Sequence, residues 1–419
     1  MGRMRQVHGR VDCCGLSDNA IVAGARSRNC KKMKLSTERI LTTHVGSLPR
    51  PDDLFELMLA RMDGNAIDEQ AYAERVRNAV RDCVRQQVDT GLDVVSDGEM
   101  GKPSFITYAA SRLSGLEKRE GFRPSPFANT RETGDFPEYY QSTIAEQVSA
   151  RRRRALMVCS GPVAYKGHAA LKADLDTLKA ALKGAGAAEA FVPAIAPSNV
   201  EATTPNEYYP TPETYVFAIA EAMREEYRAI VDAGFLLQID DPFLVTYYIT
   251  QPDLDIAACR KWAALRVEAL NAALSGIPAD RIRFHTCYSI NMGPRIHDMQ
   301  LKDVVDIILQ VRAGAYSFEA ANPRHEHEWE DWRRIKIPDD KVLIPGVITQ
   351  STVLVEHPEL VAQRIARFAS IVGRERVIAG ADCGFASFAG SNEVHPSIVW
   401  AKFKALVDGA RLASRQLRP

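Results

Sequence analysis

The segment Thr211–Pro242, TPETYVFAIAEAMREEYRAIVDAGFLLQIDDP, contains one helix and the strand that follows it. Its first part has apolar residues at helical spacing behind a Thr-Pro pair, which caps a helix and fixes its first turn. Gly234 ends this helix, and the apolar run Phe235–Ile239 then predicts a buried strand. The acidic pair Asp240-Asp241 comes directly after that strand. A helix followed by a buried strand is the repeating unit of an α/β fold.

The same alternation continues from Ile40 to the C-terminus. Further helices are predicted at Asp68–Thr90, Leu254–Leu274, Pro358–Val372 and Pro396–Ser414. The other predicted strands are Ile40–Val45, Asp93–Ser96, Ala155–Ser160, Ala190–Ile195, Arg281–Thr286, Ala315–Phe318, Val342–Val347 and Arg376–Ala379. With Phe235–Ile239 they exceed by one the eight strand positions of a (β/α)8 TIM barrel. One segment must therefore lie outside the ring, and we expect it to be Ala155–Ser160.

The predicted organisation is a single barrel domain over residues 33–419. The stretch Gly101–Arg154, after the second strand, is too long for an ordinary βα loop. We expect it to be an excursion over the barrel mouth that serves as a lid or a subunit contact. Residues 1–32 are rich in Arg, Lys, Ser, Gly and Asn and show no clear periodicity. We expect them to be a disordered or artefactual extension, with Met33 as the natural start.

Composition and charge narrow the class of protein. The 419 residues carry 53 basic and 53 acidic side chains, so no net charge draws the chain to nucleic acid or an anionic membrane. No apolar run approaches the roughly 20 residues that a membrane span needs. Eight cysteines are too sparse for a disulfide scaffold in a chain of this length. We therefore expect a cytoplasmic enzyme that acts on small molecules and keeps its cysteines as thiols.

Four residues suited to a metal ion lie at the end of a predicted strand or just past it: His285, Cys287, Glu319 and Cys383. Strand residues two apart point to the same side, so His285 and Cys287 can face one ion. A closed barrel would bring the other two near them. Thiolate and imidazole donors favour zinc over magnesium or calcium. If the glutamate moved aside, a substrate thiol could take its place and be deprotonated by the metal. The alternative is that each residue is separately buried or solvated.

Five short motifs occur in a fixed order along the chain: Thr42–Pro49, Gly98-Glu99, Gln238–Pro242, His285–Ser289 and Asp382–Gly384. Together they resemble the C-terminal catalytic barrel of the cobalamin-independent methionine synthases, within the wider superfamily that includes uroporphyrinogen decarboxylase. The resemblance covers nearly everything from Ile40 to the C-terminus. It implies a zinc-dependent methyltransferase that makes methionine by attack of the homocysteine thiol on a methyl donor such as methyltetrahydrofolate.

The resemblance also implies roles for single residues. The metal ligands would be His285, Cys287, Glu319 and Cys383, with Zn2+ as the cofactor. The segment Val45-Gly46-Ser47 would hold the carboxylate of homocysteine, to which a hydroxyl and backbone N–H groups can donate. Asp240 and Glu99, assigned as catalytic, would receive its ammonium group, because ionised carboxylates accept hydrogen bonds from a cation.

Two departures from the family leave the methyl donor open. The full-length family enzymes carry two barrels, and this chain has room for one. Where they have a histidine that is thought to protonate the departing folate nitrogen, this chain has Gln350, and an amide cannot act as a general acid at neutral pH. His357 and His44 are candidate substitutes. A methyl-corrinoid delivered by a partner protein would need no such protonation.

Two other functions compete with methionine synthesis. One is zinc-dependent alkyl transfer to a different thiol, as in the coenzyme M transferase that opens epoxides. The other is a non-enzymatic barrel with a closed structural zinc. A separate polar pocket at Ser47, Glu99 and Asp240 favours the enzyme, because a structural zinc would not require one. The oligomeric state is not predictable from the sequence.

Overall fold

Eight parallel strands form the barrel in this computed structural model, which describes residues 32–123, 129–141, 154–290, 293–390 and 394–417. The predicted extension, residues 1–32, lies outside the described residues except for Lys32. The barrel strands are β1 (Leu41–Thr42), β2 (Val94–Val95), β5 (Glu189–Ile195), β6 (Leu236–Asp240), β7 (Ile282–His285), β8 (Ala315–Phe318), β9 (Val342–Ile348) and β10 (Ile378–Ala381). They are ordered β1-β10-β9-β8-β7-β6-β5-β2, and a parallel bridge between Thr43 and Val94 joins the two ends. The predicted TIM barrel is confirmed.

Strands β3 (Leu116–Arg123) and β4 (Arg154–Cys159) form an antiparallel pair outside the ring. The expectation that Ala155–Ser160 would not join the barrel is confirmed. Strand β3 was not predicted, because its sequence LEKREGFR has charged residues where a half-buried strand would alternate with apolar ones. The pair belongs to the excursion after β2.

The helices surround the barrel and alternate with its strands. They are α1 (Asp52–Met62), α2 (Glu69–Thr90), α3 (Thr107–Arg112), α4 (Arg131–Asp135), α5 (His168–Ala181), α6 (Pro197–Thr203), α7 (Pro212–Asp232), α8 (Phe243–Thr250), α9 (Ile256–Ala273), α10 (Val305–Ile308), α11 (Trp329–Arg334), α12 (Pro358–Val372) and α13 (Pro396–Gln416). Thr211 caps α7 through a capping box, as its sequence predicts. No helix in the described ranges is long and apolar enough to span a bilayer.

The excursion contacts the loops at the carboxyl ends of the strands. Arg131 of α4 donates to the carbonyl oxygens of Tyr248 and Gln251, both at 3.1 Å, after β6. The buried carboxylate of Glu132 accepts from the backbone N–H of His297 at 3.1 Å, after β7. This segment therefore lies against the end of the barrel where active sites occur in this fold.

The barrel interior is layered from apolar to polar. A lower cluster contains Leu41, Val94, Phe191, Leu236, Ala315, Val342, Ile344 and Ile378. Two residues further along their strands, Gln238 of β6 and Arg283 of β7 are paired in the register, and both are buried. Two residues further again, Asp240 is paired with His285. Because strand side chains alternate, polar residues along these two strands point inward and approach the mouth together.

The join between β1 and β2 depends on Asp93. Its buried carboxylate accepts from the backbone N–H of Thr42 at 2.9 Å, from the Thr42 hydroxyl at 3.0 Å and from Arg39 at 2.7 Å. Asp93→Ala should lower the free energy of unfolding by about 1–3 kcal/mol, because it leaves a buried donor unpaired. Urea denaturation followed by circular dichroism measures this loss. Asp53→Ala breaks the exposed ion pair with Arg75 and should cost at most about 1 kcal/mol. Equal losses in the two variants would contradict the role of Asp93.

Candidate metal centre and substrate cleft

Three of the four predicted ligands converge at the mouth. The ligand atoms of His285, Cys287 and Cys383 all lie within 4.8 Å of one another. The two sulfur atoms are 3.3 Å apart. His285 is the last residue of β7, Cys287 lies two residues beyond it, and Cys383 lies two residues beyond the end of β10. The parallel barrel thus brings together residues that are far apart in the sequence, and they form a candidate metal site of the His/Cys/Cys type.

The donor atoms fit a soft divalent cation. His285 Nδ1 contacts the hydroxyl of Ser317 at 3.1 Å, while its buried Nε2 has no hydrogen-bond partner among the described residues. A metal-bound histidine uses one ring nitrogen as ligand and is oriented through the other. The hydrogen bond with Cys383, together with the adjacent imidazole, holds the pKa of the Cys287 thiol well below its usual range. The same contact and burial raise the pKa of Cys383, so one thiolate is favoured within the pair.

Glu319, the fourth predicted ligand, is not part of this three-residue cluster. One carboxylate oxygen accepts from the amide of Asn322 at 2.7 Å, and the other accepts from the backbone N–H of Ile290 at 3.5 Å. Asn322 also donates to Asp382 at 3.2 Å. Burial, with the nearby Cys287 and Asp382, raises the pKa of Glu319 well above its usual range. The carboxylate is therefore held beside the cluster by polar groups on two loops.

A narrow cleft with a cavity volume of about 30 Å3, partly open to solvent, lies beside the His/Cys/Cys cluster. It is lined by Val45, Ser47, Glu99, Phe105, Asp240, Pro242, His285, Cys287, Cys383, Gly384 and Ser387. The structure thus brings the predicted substrate-binding residues next to the predicted thiol ligands. Gly46 lies between the cleft residues Val45 and Ser47 and packs closely against Pro193. Its φ of +141° is a backbone conformation that favours glycine, and a Cβ there would lie 2.8 Å from the ring of Pro193.

Glu99 is held in a strained and crowded position. It has a φ of +57°, which is uncommon for a residue with a side chain. Arg50 and Lys102 lie 3.8 and 3.9 Å from its carboxylate, beyond good hydrogen-bond distance. Its Oε2 is buried without a hydrogen-bond partner in the described parts of the chain. Burial raises the pKa of this carboxyl, and both cations oppose the shift. A carboxylate oxygen is therefore available to a ligand.

Asp240 is the second acidic residue of the cleft. Burial, reinforced by the charge of Glu99, raises the pKa of Asp240 to about 7, while the His285 imidazole opposes this shift. Its Oδ1 accepts from the Gln238 amide at 2.8 Å. Two buried carboxylates in one cleft favour a cationic ligand group, because such a group relieves the cost of burying their charge.

The structure places the two candidate substitutes for the family's acidic histidine, His44 and His357, in positions that do not suit proton donation. His44 is buried between the rings of Phe191 and Phe403, and burial lowers its pKa to about 3. It accepts from the N–H of Gly46 at 3.2 Å, so it supports the loop rather than supplying a proton. His357 caps α12 and is exposed. The amide of Gln350 donates to the carbonyl of Ile290 at 2.7 Å.

Four cleft residues were not predicted from the sequence: Phe105, Pro242, Gly384 and Ser387. Pro242 and Gly384 lie inside the motifs Gln238–Pro242 and Asp382–Gly384. Because they are close in sequence to Asp240 and Cys383, their position in the cleft could have been predicted. A Cβ at Gly384 would lie 2.1 Å from the Ser47 hydroxyl, which explains why glycine is needed there. Phe105 and Ser387 belong to no motif, and only the folded chain brings them to the cleft.

Comparisons with known proteins identify the family of this chain. Residues 40–188 and 200–401 match the family described as "Cobalamin-independent synthase, Catalytic domain". Because the match covers most of the chain, the protein belongs to this family. A protein named methionine synthase from Thermococcus kodakarensis is 24% identical over 377 residues, covering 90% of this chain and 94% of its own. One from Pyrococcus furiosus is 23% identical over 346 residues, covering 82% and 85%.

A solved structure supports the fold. The B12-independent methionine synthase from a Shewanella species, in complex with selenomethionine, superposes with a TM-score of 0.67 at 17% identity. The alignment covers 90% of this chain and 99% of that one. Membership of the family indicates a methyltransferase that acts on small molecules, and the His/Cys/Cys cluster is its candidate metal site.

The cluster predicts that metal binding depends on Cys383. Cys383→Ser should remove most of the bound divalent metal, because it replaces a thiolate with a weakly coordinating hydroxyl. Metal content per chain is measured by mass spectrometry after dialysis. Cys259→Ser is the matched control, because Cys259 is a buried thiol of α9 outside the cleft. A Cys383→Ser protein that retained full metal would contradict the site, as would equal loss in the control.

Proposed function

We propose that this protein is a zinc-dependent S-methyltransferase that methylates homocysteine to give methionine. The observation that carries the proposal is the shared cleft, in which Ser47, Glu99 and Asp240 lie beside His285, Cys287 and Cys383. One half of the cleft suits an amino-acid head group and the other half suits a thiol at a metal. Homocysteine contains both groups, separated by a short aliphatic chain.

The residues of the chain divide the binding task. His285, Cys287 and Cys383 would hold zinc, with Glu319 as a fourth ligand that yields to the substrate. When bound, zinc would lower the pKa of a ligating thiol and keep it deprotonated and nucleophilic at neutral pH. Ser47 and the neighbouring backbone N–H groups would orient the substrate carboxylate. Asp240 and Glu99 would accept from its ammonium group and so direct the thiol toward the metal.

The methyl donor in this proposal is either methyltetrahydrofolate or a methyl-corrinoid on a partner protein. Gln350 donates its amide hydrogen to Ile290, and an amide supplies no acidic proton. His357 caps a helix, and His44 is buried and hydrogen-bonded. None of these three residues lines the cleft among the residues that the structure describes. This supports a donor whose leaving group needs no proton, and a corrinoid meets that condition.

X-ray absorption at the zinc edge tests thiol activation directly. Addition of L-homocysteine should add one sulfur to the metal shell, because its thiol takes the position of a harder oxygen ligand. Coenzyme M, a thiol without an amino-acid head group, is the comparison. A sulfur gained only with coenzyme M would overturn methionine synthesis in favour of alkyl transfer to another thiol. A shell that changes with neither thiol would instead indicate a structural metal.

The raised pKa of Asp240 predicts a pH-dependent affinity for the amino-acid head group. Its carboxylate binds an ammonium group only when ionised, so affinity should strengthen as the pH rises through about 7. L-Methionine is the suitable ligand, since its thioether has no proton to lose. Calorimetric titration of L-methionine between about pH 6 and pH 8 should show this dependence. Asp240→Asn should bind L-methionine about tenfold more weakly, and its affinity should not change with pH over this range. An unchanged pH dependence in Asp240→Asn would exclude Asp240 as its source.

A further inference from the structure

Gln238 lies in the barrel interior, one layer below the cleft. It is fully buried in β6, two residues before Asp240. Its amide nitrogen donates to Asp240 Oδ1 at 2.8 Å and also to the backbone carbonyl of Val45 on the other side of the barrel. One NH2 group therefore contacts both halves of the amino-acid clamp, the acidic residue after β6 and the loop after β1.

The geometry leaves little freedom to this side chain. The two NH2 hydrogens have two acceptors, so rotation of the amide would break both bonds. The amide oxygen is buried without a hydrogen-bond partner in the described ranges, which costs free energy of folding. A glutamine at this position is therefore explained by the two hydrogen bonds that its nitrogen makes. Arg283, its neighbour in the register, makes a similar contact by donating to the carbonyl of His44 at 2.9 Å. Gln238 and Arg283 thus both hold the loop after β1, which forms one half of the amino-acid clamp.

We propose that Gln238 is a positioning residue for the amino-acid head group, which sets the distance between Asp240 and the Val45-Gly46-Ser47 loop. The inference rests on the proposed function, because it requires a ligand with both a carboxylate and an ammonium group. Gln238 is absent from the residues that line the cleft and acts through the groups it holds. Specificity for an α-amino acid then depends on a residue that makes no contact with it.

The contact also fixes the carboxylate of Asp240. The Gln238 amide donates to its Oδ1 at 2.8 Å, so the orientation of the group that would accept from an ammonium ion depends on Gln238. His285 of β7 and the loop residues Glu99 and Lys102 also act on Asp240. Replacing the amide by an apolar side chain would remove the donor and leave the carbonyl of Val45 unpaired. Both effects would weaken binding of the head group and leave the metal ligands in place.

The test compares two ligands in Gln238→Met, a substitution of similar length without hydrogen-bond donors. L-Methionine should bind at least about tenfold more weakly than to the natural protein. Cobalt-substituted protein reports binding of a plain alkyl thiol, propanethiol, through its thiolate absorption band, and this affinity should change by less than about twofold. Tyr227→Phe is the control, because Tyr227 is equally buried and donates to the carbonyl of Ile195 from outside the barrel. The control should leave both affinities unchanged.

The outcomes separate this inference from the proposed function. If the natural protein binds neither L-methionine nor homocysteine, the proposed function fails. If the natural protein binds L-methionine and Gln238→Met binds it equally well, the positioning role is wrong while the function stands. Parallel losses for L-methionine and propanethiol in Gln238→Met would show a general disturbance of the site and also overturn the inference.

Discussion

The register between β6 and β7 is the constraint on which the site depends. It pairs Gln238 with Arg283 and Asp240 with His285, so a residue of the proposed substrate clamp and a proposed metal ligand occupy neighbouring positions. A shift of one residue would turn both side chains away from the barrel axis. Closure of the ring then brings β1 and β10 to the same mouth, and with them the Ser47 loop and Cys383.

The interior below the mouth explains how a polar site is held on an apolar barrel. Arg283 and Gln238 form a layer whose hydrogen bonds reach the carbonyls of His44 and Val45. Burial lowers the pKa of Arg283 to about 9, so its charge is costly there and its hydrogen bonds must offset that cost. The polar layer contributes less to stability than an apolar one of the same volume could. Its value lies in fixing a loop that has little regular structure of its own.

The architecture was predictable because it depends on local patterns. Apolar runs mark the barrel strands, and caps such as Thr211 and Gly91 mark helix ends. The clustered residues His285, Cys287 and Cys383 were identifiable as candidate ligands because each lies at the end of a strand or just beyond it. The bond from Asn322 to Glu319 was not predictable, since it depends on the path of a loop. The contact between Gln238 and Val45 joins residues 193 positions apart, and no local pattern encodes such a pairing.

The buried acids of the mouth would link metal binding to substrate binding in the proposed function. Burial is the largest cause that raises the pKa of Glu99, Asp240, Glu319 and Asp382. Each is therefore more easily protonated than an exposed acid, and each becomes a better ligand partner only when a cation stabilises its ionised form. A metal ion at the cysteines and an ammonium group at Asp240 both provide that stabilisation. Because the acids share one low-dielectric region, a cation bound at one end changes the free energy of ionisation at the other. If zinc and homocysteine bind as proposed, linkage makes this effect reciprocal, so each would change the affinity of the protein for the other.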